Sequence, residues 1–197
     1  MARTRRPEDW DKDLAGARQT ERWLSQVLAI DARLDDVTDH TSDFDTLDFS
    51  FLYRGERVYL DLKEKKSVYS IDHSALWPDI PSADLFILDE TVYRRIVWQG
   101  GGGYLLIRDQ PVDRWLIFGP WELTLGPRVR YQRWGQRSGP EFLKGKILLD
   151  LNSAADEAPV FEIERLLHVV TRARELRDQV EAVAIRGHEI PELGRPE

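Results

Sequence analysis

Two alternating segments on either side of a short polar turn constrain this chain more than anything else in it. In Leu47-Asp48-Phe49-Ser50-Phe51-Leu52-Tyr53, the side chains of Leu47, Phe49, Phe51 and Tyr53 fall on one face, and Asp48 and Ser50 on the other. In Val58-Tyr59-Leu60-Asp61-Leu62-Lys63, Val58, Leu60 and Leu62 share a face, opposite Tyr59, Asp61, Lys63 and the following Lys65. Side chains of a strand alternate with period two, so both segments read as strands. Arg54-Gly55-Glu56-Arg57 joins them as a hairpin turn. The apolar sets must share the core side, which puts the polar sets together on the opposite side. A two-residue turn centred on Gly55-Glu56 pairs Arg54 with Arg57. Ser50 then faces Asp61, and Asp48 faces Lys63.

This places two carboxylates and a lysine within contact. Neighbouring carboxylates repel unless positive charge lies between them. A divalent cation with oxygen ligands meets that need, and Mg2+ suits one or two carboxylates with waters and a phosphate. A lysine beside such a cation can orient or deprotonate an attacking water, and the cation can stabilise charge on a phosphoryl group. The plain alternative is a cross-strand Asp–Lys pair on a solvated face. Glu21 bears on that choice. It lies three residues before Leu24 and seven before Leu28, on the apolar stripe of a helix expected from about Asp13 to Ile30 whose other members are Leu14, Ala17 and Val27. A carboxylate on a packed face is costly unless it is paired or holds a cation.

Around this core the chain alternates helix and strand signals. A short strand is expected near 33–38. The region 67–82, with Pro78 and Pro81, reads as loop. Asp84–Leu88 reads as a strand followed by a helix from Glu90 to Trp98, with a single helix as the competing reading. Gly100–Gly103 lacks the Lys-Ser/Thr of a phosphate loop and reads as a turn. Tyr104–Ile107 and Trp115–Phe118 suggest a second hairpin, 121–131 and Lys146–Leu151 further strands, and Pro159–Ala184 a long amphipathic helix. That helix has Ile163, Leu166, Leu167, Val170, Leu176, Val180 and Val183 on its apolar side. A homodimer through this helix is the sharper reading of it, and core packing the plainer one.

The pattern of Glu21 in Thr-Glu-Arg-Trp-Leu, Asp48 in Thr-Leu-Asp-Phe-Ser-Phe, and Asp61 with Lys63 in Tyr-Leu-Asp-Leu-Lys-Glu-Lys-Lys resembles the PD-(D/E)XK nuclease superfamily, the restriction endonuclease-like fold. In spacing it is most similar to archaeal Holliday-junction resolvases. The resemblance covers about residues 14–108. The chain has Asp rather than the more usual Glu before the X-Lys pair, and no Pro before Asp48. It implies a later helix and then a strand, which Gly103-Tyr-Leu-Leu-Ile-Arg can supply. It further implies Asp48, Asp61 and the Leu62 carbonyl as ligands of Mg2+ or Mn2+, Lys63 acting on water, and Glu21 in the outer metal shell. The activity implied is hydrolysis of DNA phosphodiester bonds.

The expected fold is therefore α/β, a mixed sheet flanked by helices. It forms one domain over 1–197, with a core at about 13–120, a basic stretch at 126–146 and a C-terminal helix at about 159–184. Charge is unevenly spread for a net of −7. Seven Asp and one Arg lie between Asp31 and Asp48, while 126–146 carries six Lys and Arg against Glu141. In that basic stretch Arg130, Arg133 and Arg137 surround Trp134, a combination suited to phosphate contact and base stacking. Lys65 and Lys66 are further candidate phosphate contacts. None of the four His has metal-ligand spacing. His73 follows the second strand and reads as a surface residue, and Ser50 lacks a nearby His to make it a nucleophile. The absence of cysteine excludes disulfides, thiolate catalysis and zinc–cysteine sites. No apolar run suits a membrane span or a secretory signal, so a cytoplasmic protein is expected. The acidic total keeps a rival open: a non-catalytic nucleic-acid-binding or assembly subunit, or an enzyme that relies on a partner protein to reach DNA.

Overall fold

A computed structural model describes the backbone of residues 7–43, 45–69, 75–134 and 143–187, and the side chains of 16–43, 45–69, 75–132 and 145–183. The chain opens with α1 (Pro7–Ile30), β1 (Leu34–Asp39), β2 (Phe49–Tyr53) and β3 (Glu56–Lys65). Next come β4 (Leu85–Asp89), α2 (Glu90–Val97), β5 (Gly103–Asp109) and β6 (Arg114–Phe118). α3 (Pro120–Leu125), β7 (Arg128–Trp134), β8 (Leu143–Asp150), β9 (Asp156–Ala158) and α4 (Ile163–Gly187) complete it. The structure is thus mixed α/β with four α-helices among the described residues. No helix among them is long and apolar enough to cross a membrane.

Six strands form a mixed sheet in the order β1-β2-β3-β5-β6-β9. β1, β2 and β3 are an antiparallel meander, and β5 lies parallel to β3. A parallel neighbour requires a crossover, which β4 and α2 supply. Both faces of the sheet are covered, and β5 shows why its sequence is continuously apolar rather than alternating. Tyr104 and Leu106 pack with α1 and α4 on one face, while Leu105 and Ile107 pack with α2, α3 and β8 on the other. Leu24 and Leu28 of α1 are fully buried on the first face. Each contributes about 1.5–3 kcal/mol through burial.

The structure departs from the sequence reading in several places. β4 joins β8 and β7 in a separate antiparallel three-stranded sheet, which covers the second face of the main sheet. Residues 120–125 are helical, so only the latter part of 121–131 is strand. Leu47 packs in the second cluster, not beside Phe49, because β2 begins at Phe49 and its alternation does not extend back. Among the described side chains of α4, the buried apolar ones, including Leu166, Leu167, Val170 and Ala173, lie in its first half, while Leu176, Val180 and Val183 are 37, 56 and 64% exposed.

The hairpin register also differs. Tyr53 pairs with Glu56 and Phe49 with Leu60, so the turn residues are Arg54 and Gly55. Both have positive φ, 51° and 78°. A two-residue hairpin turn of this kind needs left-handed backbone at both central positions, and glycine in the second makes that cheap. The partner strand is shifted by two residues from the expected pairing. A shift of two preserves faces, so Ser50 faces Tyr59 rather than Asp61, and Asp48, which lies before the first β2–β3 pair, is left outside the ladder.

Candidate active site

The open end of β3 creates the site. Past the Phe49–Leu60 pair, β3 continues to Lys65 with β5 on one side and no β2 pairing on the other. A strand residue directs its N–H and C=O to the same side. Leu62 presents both to this open edge. Its N–H donates to Asp48 Oδ2 at 2.8 Å, and its carbonyl accepts from Lys63 Nζ at 3.0 Å. The Lys63 ammonium also lies 2.6 Å from Asp61 Oδ2 and 3.4 Å from Asp48 Oδ2. One cation is thus held by two carboxylates and a main-chain carbonyl.

The electrostatics are unbalanced. Asp61 is 2% exposed. Burial pushes its pKa up to about 6 against the pull of Lys63, and the nearby Asp48 charge adds to the rise. Burial pulls Lys63 the other way, but Asp61 and Asp48 outweigh it and hold the ammonium above its ordinary value. Glu21 projects from α1 towards the same region. Burial first, then Asp48, Asp39 and Glu64, raise its pKa, with Lys63 opposing. The sequence reading did not single out Asp39. It ends β1 and, despite partial burial, is held below the usual carboxylate range by hydrogen bonds from Thr41 and Ser25 and by the charge of His40. Lys63 is thus paired with Asp48 and Asp61, with the Glu21 charge near enough to feel it.

Asp48, Asp61 and the Leu62 carbonyl fit a divalent cation, because the same three oxygens already converge on a single positive group. Among the described residues no group of three or more His, Asp or Glu is placed to hold a metal ion. The set offers two carboxylates and a carbonyl, a donor count that suits Mg2+, which keeps several waters.

Other candidates fall elsewhere. Lys65 shares the face of Asp61 and Lys63, but it is 1% exposed, with its ammonium over the Tyr69 ring. Its Nζ donates to the Ala83 carbonyl and lies 3.8 Å from the buried Asp109, which Arg114 Nε also contacts at 2.9 Å. It is an internal charge partner rather than a surface phosphate contact. Lys66 is partly exposed and 3.5 Å from Glu64. Ser50 does have a histidine partner, with Oγ 3.0 Å from His40 Nε2, but it is 4% exposed and closed to substrate. Arg130 lies 2.9 Å from Glu90 and lines an open cleft with Arg94, Arg128 and Tyr93. Hydrogen bonds from Arg130 and Arg94 hold the Glu90 carboxyl below its usual range. The backbones of Arg133 and Trp134 pair with Lys144 and Leu143, but their side chains, together with Arg137 and His73, lie outside the described residues. No protein-family model matches this chain, and no curated protein is a significant match to it.

Proposed function

We propose that this protein is a metal-dependent nuclease that hydrolyses DNA phosphodiester bonds, with a PD-(D/E)XK-like site at the open edge of β3. The observation that carries the reading is the convergence of Asp48 Oδ2, Asp61 Oδ2 and the Leu62 carbonyl on one cationic atom. The chain order supports it: a helix bearing Glu21, an antiparallel meander bearing Asp48, Asp61 and Lys63, then a helix and a strand parallel to β3. In this reading Asp48, Asp61 and the Leu62 carbonyl hold Mg2+ or Mn2+. When bound, the ion supplies charge stabilisation at the phosphoryl oxygens and acidifies water. Lys63, released from those oxygens, positions the attacking water. Glu21 supports the shell from α1. Water oxygen bonds to phosphorus and the P–O3′ bond breaks, leaving a 5′-phosphate and a 3′-hydroxyl. The test is incubation with plasmid, linear, single-stranded and branched DNA, with Mn2+ and with chelator. Cleavage of at least one substrate, present with metal and absent with chelator, is expected. Full-length DNA in every arm would sink the proposal.

The second reading is a binding or assembly subunit, and one observation favours it: Lys63 already ion-pairs with both Asp48 and Asp61. That reading predicts DNA binding without cleavage. In both readings the basic region around β7 meets phosphate. Replacing Arg130, Arg133 and Arg137 with Ala is expected to weaken DNA binding and to flatten its salt dependence by about 0.9 unit of slope per lost contact. An unchanged slope in a salt titration removes these residues from the interface.

A further inference from the structure

A second cleft, of about 550 Å3, opens on the other face of the β3 end. Glu64 follows Lys63 and so points to the opposite face of the strand. Thr20 precedes Glu21 on α1. Glu64 and Thr20 line the cleft with Trp23, Arg108, Trp115 and Phe161. Its size lies in the range of about 300–1,000 Å3 typical of small-ligand sites. Its apolar wall is aromatic. Trp23 stands 5.4 Å from Trp115 and 5.7 Å edge-on from Phe161, and Trp115 is 5.6 Å from Phe161. Trp23 is 38% exposed, which leaves indole surface for a further ring. The Arg108 guanidinium lies 5.7 Å over Trp115 and donates to Thr20 Oγ1 at 3.3 Å.

The polar wall holds a carboxylate oxygen that is ion-paired but accepts no hydrogen bond. The Glu64 side chain is 6% exposed. Its Oε1 accepts from Thr20 at 2.6 Å and lies 3.8 Å from Arg108 Nη1. Its Oε2 is buried and accepts no hydrogen bond, with Lys66 Nζ 3.5 Å away. A buried carboxylate oxygen without a donor is costly. A flat ring carrying an N–H group would satisfy it while stacking on the indoles.

We propose that this cleft takes one unstacked nucleobase, so that the preferred substrate is a strand with unpaired nucleotides. The identification of the ring as a base of the substrate strand rests on the nuclease reading, since the cation set lies one residue away along β3. Every nucleobase offers a π-face and an N–H donor. In continuous duplex, pairing consumes the donor and stacking covers the faces, so only an unpaired base can enter.

The test uses the full chain in chelator, where cleavage plays no part. The indole N–H resonance of Trp23, assigned by its loss in Trp23→Ala, is followed during titration with cytidine or adenosine 5′-monophosphate, and with ribose 5-phosphate as the baseless control. A saturable shift with the nucleotides and none with ribose 5-phosphate is expected, weakened about tenfold in Glu64→Gln. A short single strand is expected to bind more tightly than the same sequence as duplex. Trp23→Ala should lose about tenfold on the single strand and nothing on the duplex. Equal shifts with ribose 5-phosphate, or equal losses on both DNA forms, overturn the base site. If the nucleotides bind as expected but no DNA is cut with Mn2+, the nuclease reading fails and the base site stands.

Discussion

If the proposed nuclease reading holds, Lys63→Ala is expected to lower DNA cleavage by about 10²–10⁴-fold, the range associated with losing a positioned acid–base group. The fold and the proposed metal binding are expected to survive this change. The lysine is half-buried and supplies no metal ligand. Its ammonium lies against the oxygens of Asp48, Asp61 and Leu62 to which the metal is assigned. Removing it removes a competitor, so Mn2+ affinity in calorimetry is expected to stay equal or to tighten. A residue that only stabilises the site would show the opposite pattern, with metal affinity and thermal stability falling together. Cleavage at the wild-type rate by identically purified Lys63→Ala protein places any activity elsewhere.

Asp61→Asn separates function from stability. It removes a proposed charged ligand, so cleavage and millimolar metal binding are both expected to be lost. In chelator it is nevertheless expected to raise the melting temperature at about pH 8, where wild-type Asp61 carries a buried negative charge. Asp61 is raised from 3.8 to about 6. The folded state therefore holds the proton more tightly than the unfolded chain does. The favourable contribution of protonated Asp61 is complete below about pH 4 and is lost as pH rises through about 6. Asn carries no charge at any pH, so its advantage should fade as pH falls from about 6 to about 4. Wild-type metal affinity should weaken over the same interval, because metal binding requires the carboxylate. A solvated Asp–Lys pair would instead give a change under about 1 kcal/mol at every pH, with activity untouched. Equal melting temperatures at both ends of the range, with metal still bound by Asp61→Asn, would overturn the assignment.

The sequence by itself determined the hairpin, its faces and its active-site candidates. The alternation of Phe49, Phe51 and Tyr53 against Val58, Leu60 and Leu62 is a local period, and the structure keeps those six residues in one core cluster. Leu24 and Leu28 likewise marked the buried stripe of α1 and, with it, the direction of Glu21. The apolar run at Tyr104–Ile107 marked a strand, which lies parallel to β3. Tertiary structure decided what period alone cannot carry. The turn settled on Arg54-Gly55 because left-handed backbone at two successive positions is least costly with glycine second, and this shifted the pairing by two residues, so that Ser50 faces Tyr59. Period two states that Lys65 shares a face with Lys63, but not that Lys65 is buried there. Lys65 is consequently an internal partner of Asp109. The cleft that joins Thr20, Glu64, Arg108, Trp115 and Phe161 draws on four distant segments, as does the His40–Ser50 contact on two. No local pattern encodes these meetings, because they depend on which strand edges pair and which helix lies across them.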